Sequence, residues 1–464
     1  MSKQLPPGPL RRKKPPQKKA RRHHILSGCL LFCLFLLPST GPPPPATAET
    51  AAPLSAENPT FEEPFDKRLG LKEDGGRLRL SGYLKNLSVS WPGGAKEGKR
   101  AFSNLGRLRL TLDTDPYAKT VFHMDLDQQL FHANRSTATQ TSGGGPPTRR
   151  YNEPVGGGLT CALSTDTDFT VRPHRLHISY TASDLTVIVG RQQIRFGSGR
   201  LWNPLDILNP INPAAVEGAD ENRGIDALQV AYFPGPSTEL SFVYAPNRKN
   251  DRFGANTLAN KNTNLILRLK AGVGETDLAL LAGRAGRKNL VGGDVAAIVR
   301  GGILRASIIH ATPDGDDSFF VGNLGYEYTF RGGLYFLTEY FYNENSLNKN
   351  QRLAAAIGEI ALSGITEKSY PFMANQFITS NRHYLGICLG YDLTPLFRGE
   401  LFTIYDIEGR GLFFSPSLRY NLLENVDMAL SAMVGDTPND PKRPSDFDSF
   451  NADPLIYAYL QFFF

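Results

Sequence analysis

The chain has 464 residues and a formal net charge of +6, from 51 basic and 45 acidic residues, a balance that at first suggests an anionic partner. Nine of the basic residues and none of the acids fall in positions 1–48, so the remainder carries 42 basic against 45 acidic residues. A nucleic-acid-binding domain is therefore excluded as the source of the basic pI, and no nucleic-acid partner is expected.

Residues 1–48 read as a secretory signal peptide. Arg21-Arg22-His23-His24 precedes the apolar run ILSGCLLFCLFLLP, and Ala46-Thr47-Ala48 supplies a small-residue cleavage site. The run falls short of the roughly 20 residues that a spanning helix needs. Leu26-Ser27-Gly28-Cys29 has the letters of a lipobox, but its cysteine precedes the apolar core, which argues against a lipoprotein. Residues 49–76 are expected to form a flexible periplasmic segment, and 77–464 the folded body. Cys161 and Cys388 are the cysteines left beyond the leader; an oxidising compartment permits a bond between them, and the sequence leaves them bonded or free.

From residue 77 onward apolar and polar residues alternate. In NLGRLRLTLDTD, Leu108, Leu110 and Leu112 oppose Arg107, Arg109, Thr111 and Asp113; in VGNLGYEYTF, Leu324, Tyr326, Tyr328 and Phe330 oppose Asn323, Glu327 and Thr329. In LFFSPSLRYNL, Leu412, Phe414, Pro416, Leu418, Tyr420 and Leu422 oppose Phe413, Ser415, Ser417, Arg419 and Asn421. Runs of about ten such residues cross a bilayer at a ~45° tilt, whereas strands of soluble sandwiches are shorter. Eighteen segments have this form, starting near residues 77, 100, 117, 171, 185, 225, 238, 263, 276, 291, 301, 319, 333, 382, 396, 411, 425 and 454. Tight links (TDPY, TASD, FPGPST, GVGE, RGG, RGG, LTPL, LLEN) mostly alternate with longer ones at 131–170, 195–224, 246–262, 344–381 and 434–453. The expected fold is an all-β, transmembrane antiparallel barrel of about 18 strands, with short periplasmic turns and long external loops. Its last strand, PLIYAYLQFFF, sets Ile456, Ala458, Leu460, Phe462 and Phe464 on one face and resembles the C-terminal insertion signal of outer-membrane barrels.

The third external loop, 195–224, follows the strand LTVIVGRQQIRF. It holds Leu201, Trp202, Leu205, Ile207, Leu208 and Ile211, and prolines 204, 210 and 213, each preceded by asparagine. Proline fixes φ and stiffens the segment, which is too apolar to extend into water. It is expected to fold into the barrel mouth, either as a plug that narrows the pore or as a cap on the rim. Within GRQ-x-I-x-F-G-x-G-R-L-W-N-P and the following DENRGIDALQVAYF, residues 170–245 resemble the alginate-export family and its porin-like relatives. That resemblance implies an eighteen-stranded outer-membrane channel with passive transport, and does not carry alginate over as cargo.

Alternation points Arg107, Arg109, Arg175, Arg268, Lys270, Arg305 and Arg419 inward, with Arg191, Arg195 and Arg200 at the loop root. Asp113, Asp125, Asp127, Glu327, Glu339, Glu400 and Asp406 share the lumen. The candidate constriction and solute contacts are Arg191, Arg195, Arg200, Trp202, Asp206, Arg107, Arg109, Arg268 and Arg419. Arginine grips carboxylates in a fork; the alternative is that these charges simply pair across strands and solvate the wall.

No cofactor and no metal are expected. GSGR at 197–200 lacks the Lys-Ser/Thr of a phosphate loop. By strict alternation His174 and His177 point to opposite faces and make a poor metal pair. DGDDSF at 314–319 and NDPKRPSDFDSF at 439–450 have Ca²⁺-ligand residues, but acidic loops are more often just hydrated. The reading is thus a Gram-negative outer-membrane channel, not an enzyme, for small polar or anionic solutes including acidic saccharides. Its partners are membrane lipid, the solute, and either a second copy or an unidentified periplasmic protein. The alternatives are a sheath for an electron-transfer cytochrome and a barrel hydrolase built on His177 and Ser179.

Overall fold

A computed structural model describes residues 78–92, 100–114, 119–133, 159–164, 166–208, 224–246, 263–285, 288–314, 317–346, 379–438, 440, 443–451 and 454–464. The leader, the segment 49–76, and the Asn209-Pro210 and Asn212-Pro213 pairs lie outside these residues.

Among the described residues nineteen strands follow one another: β1 (Leu78–Pro92), β2 (Arg100–Thr114), β3 (Thr120–Ala133), β4 (Leu159–Ala162), β5 (Thr167–Thr181), β6 (Leu185–Gln192), β7 (Ile225–Gly235), β8 (Thr238–Ala245), β9 (Asn264–Val273) and β10 (Thr276–Ala285) come first. They continue as β11 (Lys288–Val299), β12 (Gly302–Pro313), β13 (Phe319–Thr329), β14 (Tyr335–Asn343), β15 (His383–Thr394), β16 (Phe397–Asp406), β17 (Gly411–Leu423), β18 (Val426–Asp436) and β19 (Leu455–Phe463). Eighteen of them form a closed antiparallel barrel in which each pairs with its sequence neighbours and β1 closes on β19. At the seam the Phe464 N–H donates to the Gly82 carbonyl at 3.0 Å and the Gly82 N–H returns the bond at 2.9 Å. Closure leaves no free edge in the ring, the condition for a sheet to sit in hydrocarbon.

The extra strand is β4, inside the stretch that sequence alone assigns to a long loop. It pairs with β5 over Leu159↔Val171 to Ala162↔Asp168, beyond the point where β6 leaves β5 at Leu176↔Arg191. β6 is short because the chain turns inward after Gln192, and β4 supplies ladder partners to the stretch of β5 that β6 does not reach.

Alternation sorts the side chains as the sequence predicts. Leu84, Leu267, Leu280, Ile308, Leu324 and Leu460 face outward and are exposed, while Arg109, Ser307, Asn323, Glu327 and Phe413 face inward and are buried. An exposed apolar belt around a charged interior is stable only with lipid outside. Leu280, at 66% exposure in the middle of β10 and paired with Leu269, reports on this directly. Leu280→Arg is expected to destabilise the barrel by about 2–4 kcal/mol and Leu280→Phe to leave it unchanged, as measured by urea titration of folding into liposomes.

Register shifts occur beside the turns of three strand pairs and, in mid-strand, in β5. In β5 the register slips between Asp125 and Leu126, so that Arg175 pairs with Asp125 and Pro173 with Leu126. Proline cannot donate to the ladder, and a bulge accommodates it. The phase of the strand therefore changes at His174. Thr170, Arg172 and His174 are buried before the bulge, whereas Leu176, Ile178 and Tyr180 are exposed after it, which turns Arg175 and His177 inward. The expectation that His174 and His177 splay to opposite faces is corrected: both face the interior.

Candidate functional site: an inner strap and a basic wall

The chain leaves the wall after Gln192 and returns along it as a buried strap that runs to Leu208. Ile194 and Phe196 pack with Ile225, Val243, Ala245, Ile266 and Leu281, which belong to β7 through β10. Ser198 donates from its N–H (3.0 Å) and its hydroxyl (2.8 Å) to Asp294 Oδ1 on β11, which also accepts the Ser307 hydroxyl of β12 at 2.6 Å. Arg200 Nε donates to Glu327 Oε2 on β13 at 3.0 Å, and Glu327 also accepts from Arg305 at 2.5 Å and the Tyr335 hydroxyl at 2.8 Å. Glu339, fully buried on β14, accepts the backbone N–H groups of Arg200 (3.0 Å), Leu201 (3.4 Å) and Trp202 (2.7 Å). Three consecutive amides aimed at one carboxylate form a cradle of oriented dipoles that compensates its charge.

The tip of the strap is apolar. Trp202 stacks on Phe341 with ring centroids 5.1 Å apart and planes 11° from parallel, and lies 6.4 Å from Tyr384 on β15. Gly386 makes room for it: a Cβ there would run into Leu201 Cδ1 and lie 2.9 Å from Trp202 Cζ3. Gly197, at φ +83°, sets the turn that lets the strap double back, so that Asn203 Nδ2 donates to the Phe196 carbonyl at 2.7 Å and Arg195 pairs with Asp206 at 3.1 Å. The strap packs on β7 through β15, nine strands in a ring of eighteen, and so lines half the inner circumference.

The strands opposite carry a second feature. Antiparallel register aligns inward residues of β1, β2, β3 and β5 in rows: Lys85, Arg107, Gln129 and Thr170; then Tyr83, Arg109, Asp127 and Arg172; then Ser81, Thr111, Asp125 and Arg175. These three rows hold five cations and two carboxylates. Arg109 forks onto Asp127 at 2.6 and 2.9 Å, Arg107 approaches the same carboxylate at 4.0 Å, and His174 Nδ1 lies 3.5 Å from it. The Lys85 ammonium sits 4.7 Å from the centre of the Tyr459 ring. Below them Asp113, His123 and His177 form a fourth row, with His123 Nδ1 2.6 Å from Asp113 and the two imidazoles 4.9 Å apart.

The sequence-derived candidates thus fall into separate groups. Arg195, Arg200, Trp202 and Asp206 belong to the strap, and Arg191 stands at its root, forked onto Asp226 of β7 at 2.9 and 3.2 Å. Arg268 lies 5.5 Å over the Phe196 ring and 3.4 Å from Glu239. Arg107 and Arg109 lie on the basic wall. Arg419 is apart from all of these, near the short turns, 3.6 Å from Glu400, which Arg398 also holds at 2.7 Å. Each of these arginines has a carboxylate partner, as the cross-strand pairing alternative expects. Trp202 has no exposed surface and anchors the strap against the wall.

Sequence reasoning passed over Lys85 and Arg172 on the wall, put His174 on the wrong face, and passed over the strap's receptors Asp294, Phe341, Tyr384 and Gly386. Alternation through SGYLKN reaches Lys85, and a proline inside a strand signals the bulge that places Arg172 and His174. Cys161 is exposed and Cys388 buried, and the two are not joined by a disulfide. Among the described residues no group of three or more His, Cys, Asp or Glu is arranged to hold a metal ion. In the described part of 439–450, Asp446 and Asp448 accept hydrogen bonds from Ser380, Tyr384 and Ser445.

No protein-family model matches the chain, and no curated protein matches it. Among solved structures it is similar to Acinetobacter baumannii OccAB4, with 9% identity, 84% of this chain and 98% of that one covered, and a TM-score of 0.50. It is also similar to Pseudomonas aeruginosa OccK5 (11% identity, 83% and 97% covered, TM-score 0.49) and to a BenF-like porin from Pseudomonas fluorescens (10%, 83% and 98%, 0.48). At such identities the likeness is one of fold: a porin-type, eighteen-stranded antiparallel barrel. The resemblance of residues 170–245 to the alginate-export family gains no support from these comparisons.

Proposed function

We propose that the protein is a channel of the Gram-negative outer membrane through which small anionic or polar solutes diffuse passively. The observation that carries this reading is the charge of the wall on β1, β2, β3 and β5, where three adjoining rows set Lys85, Arg107, Arg109, Arg172 and Arg175 against Asp125 and Asp127. Inside a low-dielectric cylinder such an imbalance lowers the energy of an anion and raises that of a cation. Carboxylate-bearing solutes, acidic saccharides among them, match the fork geometry of the guanidinium groups. The strap confines passage by lining the other half of the barrel. Arg191, Arg195, Arg200 and Asp206, at its root and along it, set its charge beside the solute path, and Trp202 holds it in place.

Reversal potentials across planar bilayers under a KCl gradient test this function. The wild type is expected to pass chloride in preference to potassium. Arg107→Gln, which removes one wall charge while Arg109 keeps Asp127, is expected to lower the anion-to-cation permeability ratio on the order of threefold. Cation preference in the wild type refutes the anionic reading.

A further inference from the structure

A second segment folds over the inner wall beside the strap. Between β18 and β19, residues 443–451 turn inward and end in a single 3₁₀ turn at Asp448–Phe450. Phe447 and Phe450 pack on the inward Phe413, each with its ring centroid 5.3 Å away. Asn451 pins the segment to the residue that follows β18 by donating to both the carbonyl and the hydroxyl of Thr437 at 3.0 Å. Phe447, Phe450, Phe413, Trp202, Phe341 and Tyr384 belong to one buried apolar cluster, so this segment and the strap tip share a core although nearly 250 positions separate them.

A polar relay joins them as well. The Tyr384 hydroxyl donates to Asp446 Oδ2 at 2.6 Å and accepts the Asn381 N–H at 2.9 Å. Asp446 also accepts the Ser380 N–H, at 3.1 and 3.0 Å to its two oxygens. One residue earlier, Ser445 Oγ donates to Asp406 Oδ2 at 3.0 Å, and Asp406 also takes Asn381 Nδ2 at 2.6 Å. The ring that Asp446 fixes by its hydroxyl is the ring beside Trp202. A tyrosine held at its oxygen cannot swing away from the indole, so the position of the mouth segment sets how firmly the strap tip is seated.

We propose that residues 443–451 form a latch which, through Asp446 and Tyr384, holds the strap against β14 and β15. Release of this latch at the external mouth would loosen the strap within the lumen. Two arrangements of one shared core, biased from a site outside the constriction, are the physical requirement for such coupling.

The chain has two tryptophans, Trp91 and Trp202, so in a Trp91→Phe background excited at the red edge, where tyrosine does not absorb, Trp202 is the sole emitter and the strap its own reporter. In detergent-solubilised protein whose heat-modifiable gel migration shows the barrel folded, acrylamide quenching of Trp202 would be compared across three variants. Asp446→Ala and Tyr384→Phe are each expected to raise the population of released strap about tenfold, seen as increased quenching, because each breaks a buried hydrogen bond to a charged group. Asp446→Asn retains an acceptor oxygen and is expected to stay close to the parent. Unchanged quenching in Tyr384→Phe overturns the latch; that variant removes one oxygen and no packing, and decides the matter even where Asp446→Ala does not fold. This readout needs no transport, so it stands or falls apart from the channel reading. On that reading, the released variants should also add brief current fluctuations to single-channel recordings.

Discussion

Glu339→Ala is expected to unseat the strap and raise single-channel conductance, with the largest effect of any single substitution in the lumen. In the native protein this buried carboxylate is the acceptor for three consecutive backbone amides, those of Arg200, Leu201 and Trp202. Alanine leaves all three donors without an acceptor in a place closed to water. A stranded donor costs about 1–3 kcal/mol, so the seated state loses on the order of 3 kcal/mol or more, enough to reverse a local equilibrium. The barrel itself should survive, because its ladder and lipid-facing belt do not involve Glu339's side chain. Planar-bilayer recording would then show larger and noisier steps from a protein that still migrates as a folded barrel. Glu339→Gln keeps one acceptor oxygen and should lie between the two.

The second large effect is expected at Trp202. The indole is fully buried, stacked on Phe341 and lodged over Gly386. Trp202→Ala removes that contact and leaves a cavity lined by Phe341 and Tyr384, at a cost of about 3–5 kcal/mol to strap seating. Gly386→Leu should reproduce the phenotype from the opposite side, since its side chain would occupy the space of Leu201 and the indole. The pair discriminates between models. If Trp202 contacted the solute, Trp202→Ala would change selectivity and Gly386→Leu would not. Anchoring by Trp202 predicts that both raise conductance and shift selectivity alike.

The barrel was legible because the bilayer imposes a simple code. Hydrocarbon outside and water inside force a period of two, and all eighteen predicted strands appear within a few residues of their expected starts. The inward placement of Arg107, Arg109, Arg268, Arg305 and Arg419 followed from parity alone. Parity placed Arg175 and His177 correctly but failed at His174, where Pro173 forces a bulge and reverses the phase. It also missed β4, whose four residues form a strand only because β6 leaves its place beside β5. The strap's inward fold could be inferred from its apolar residues and stiff Asn-Pro turn. Its receptors could not: Glu327 and Glu339 lie well over one hundred residues downstream, and nothing local ties Glu339 to the amides of a distant loop. Ion-pair partners were legible only where they sit on adjacent strands, as Asp226 does beside Arg191.

The most direct test of the central claim, a water-filled cylinder narrowed by its own strap, is single-channel recording of the purified full chain in planar bilayers. The structure predicts discrete, ohmic current steps from the heat-modifiable, folded protein, enlarged when Glu339 is replaced by alanine. Folded protein that inserts into the bilayer and yields no steps, in either the wild type or the Glu339 variant, would contradict it.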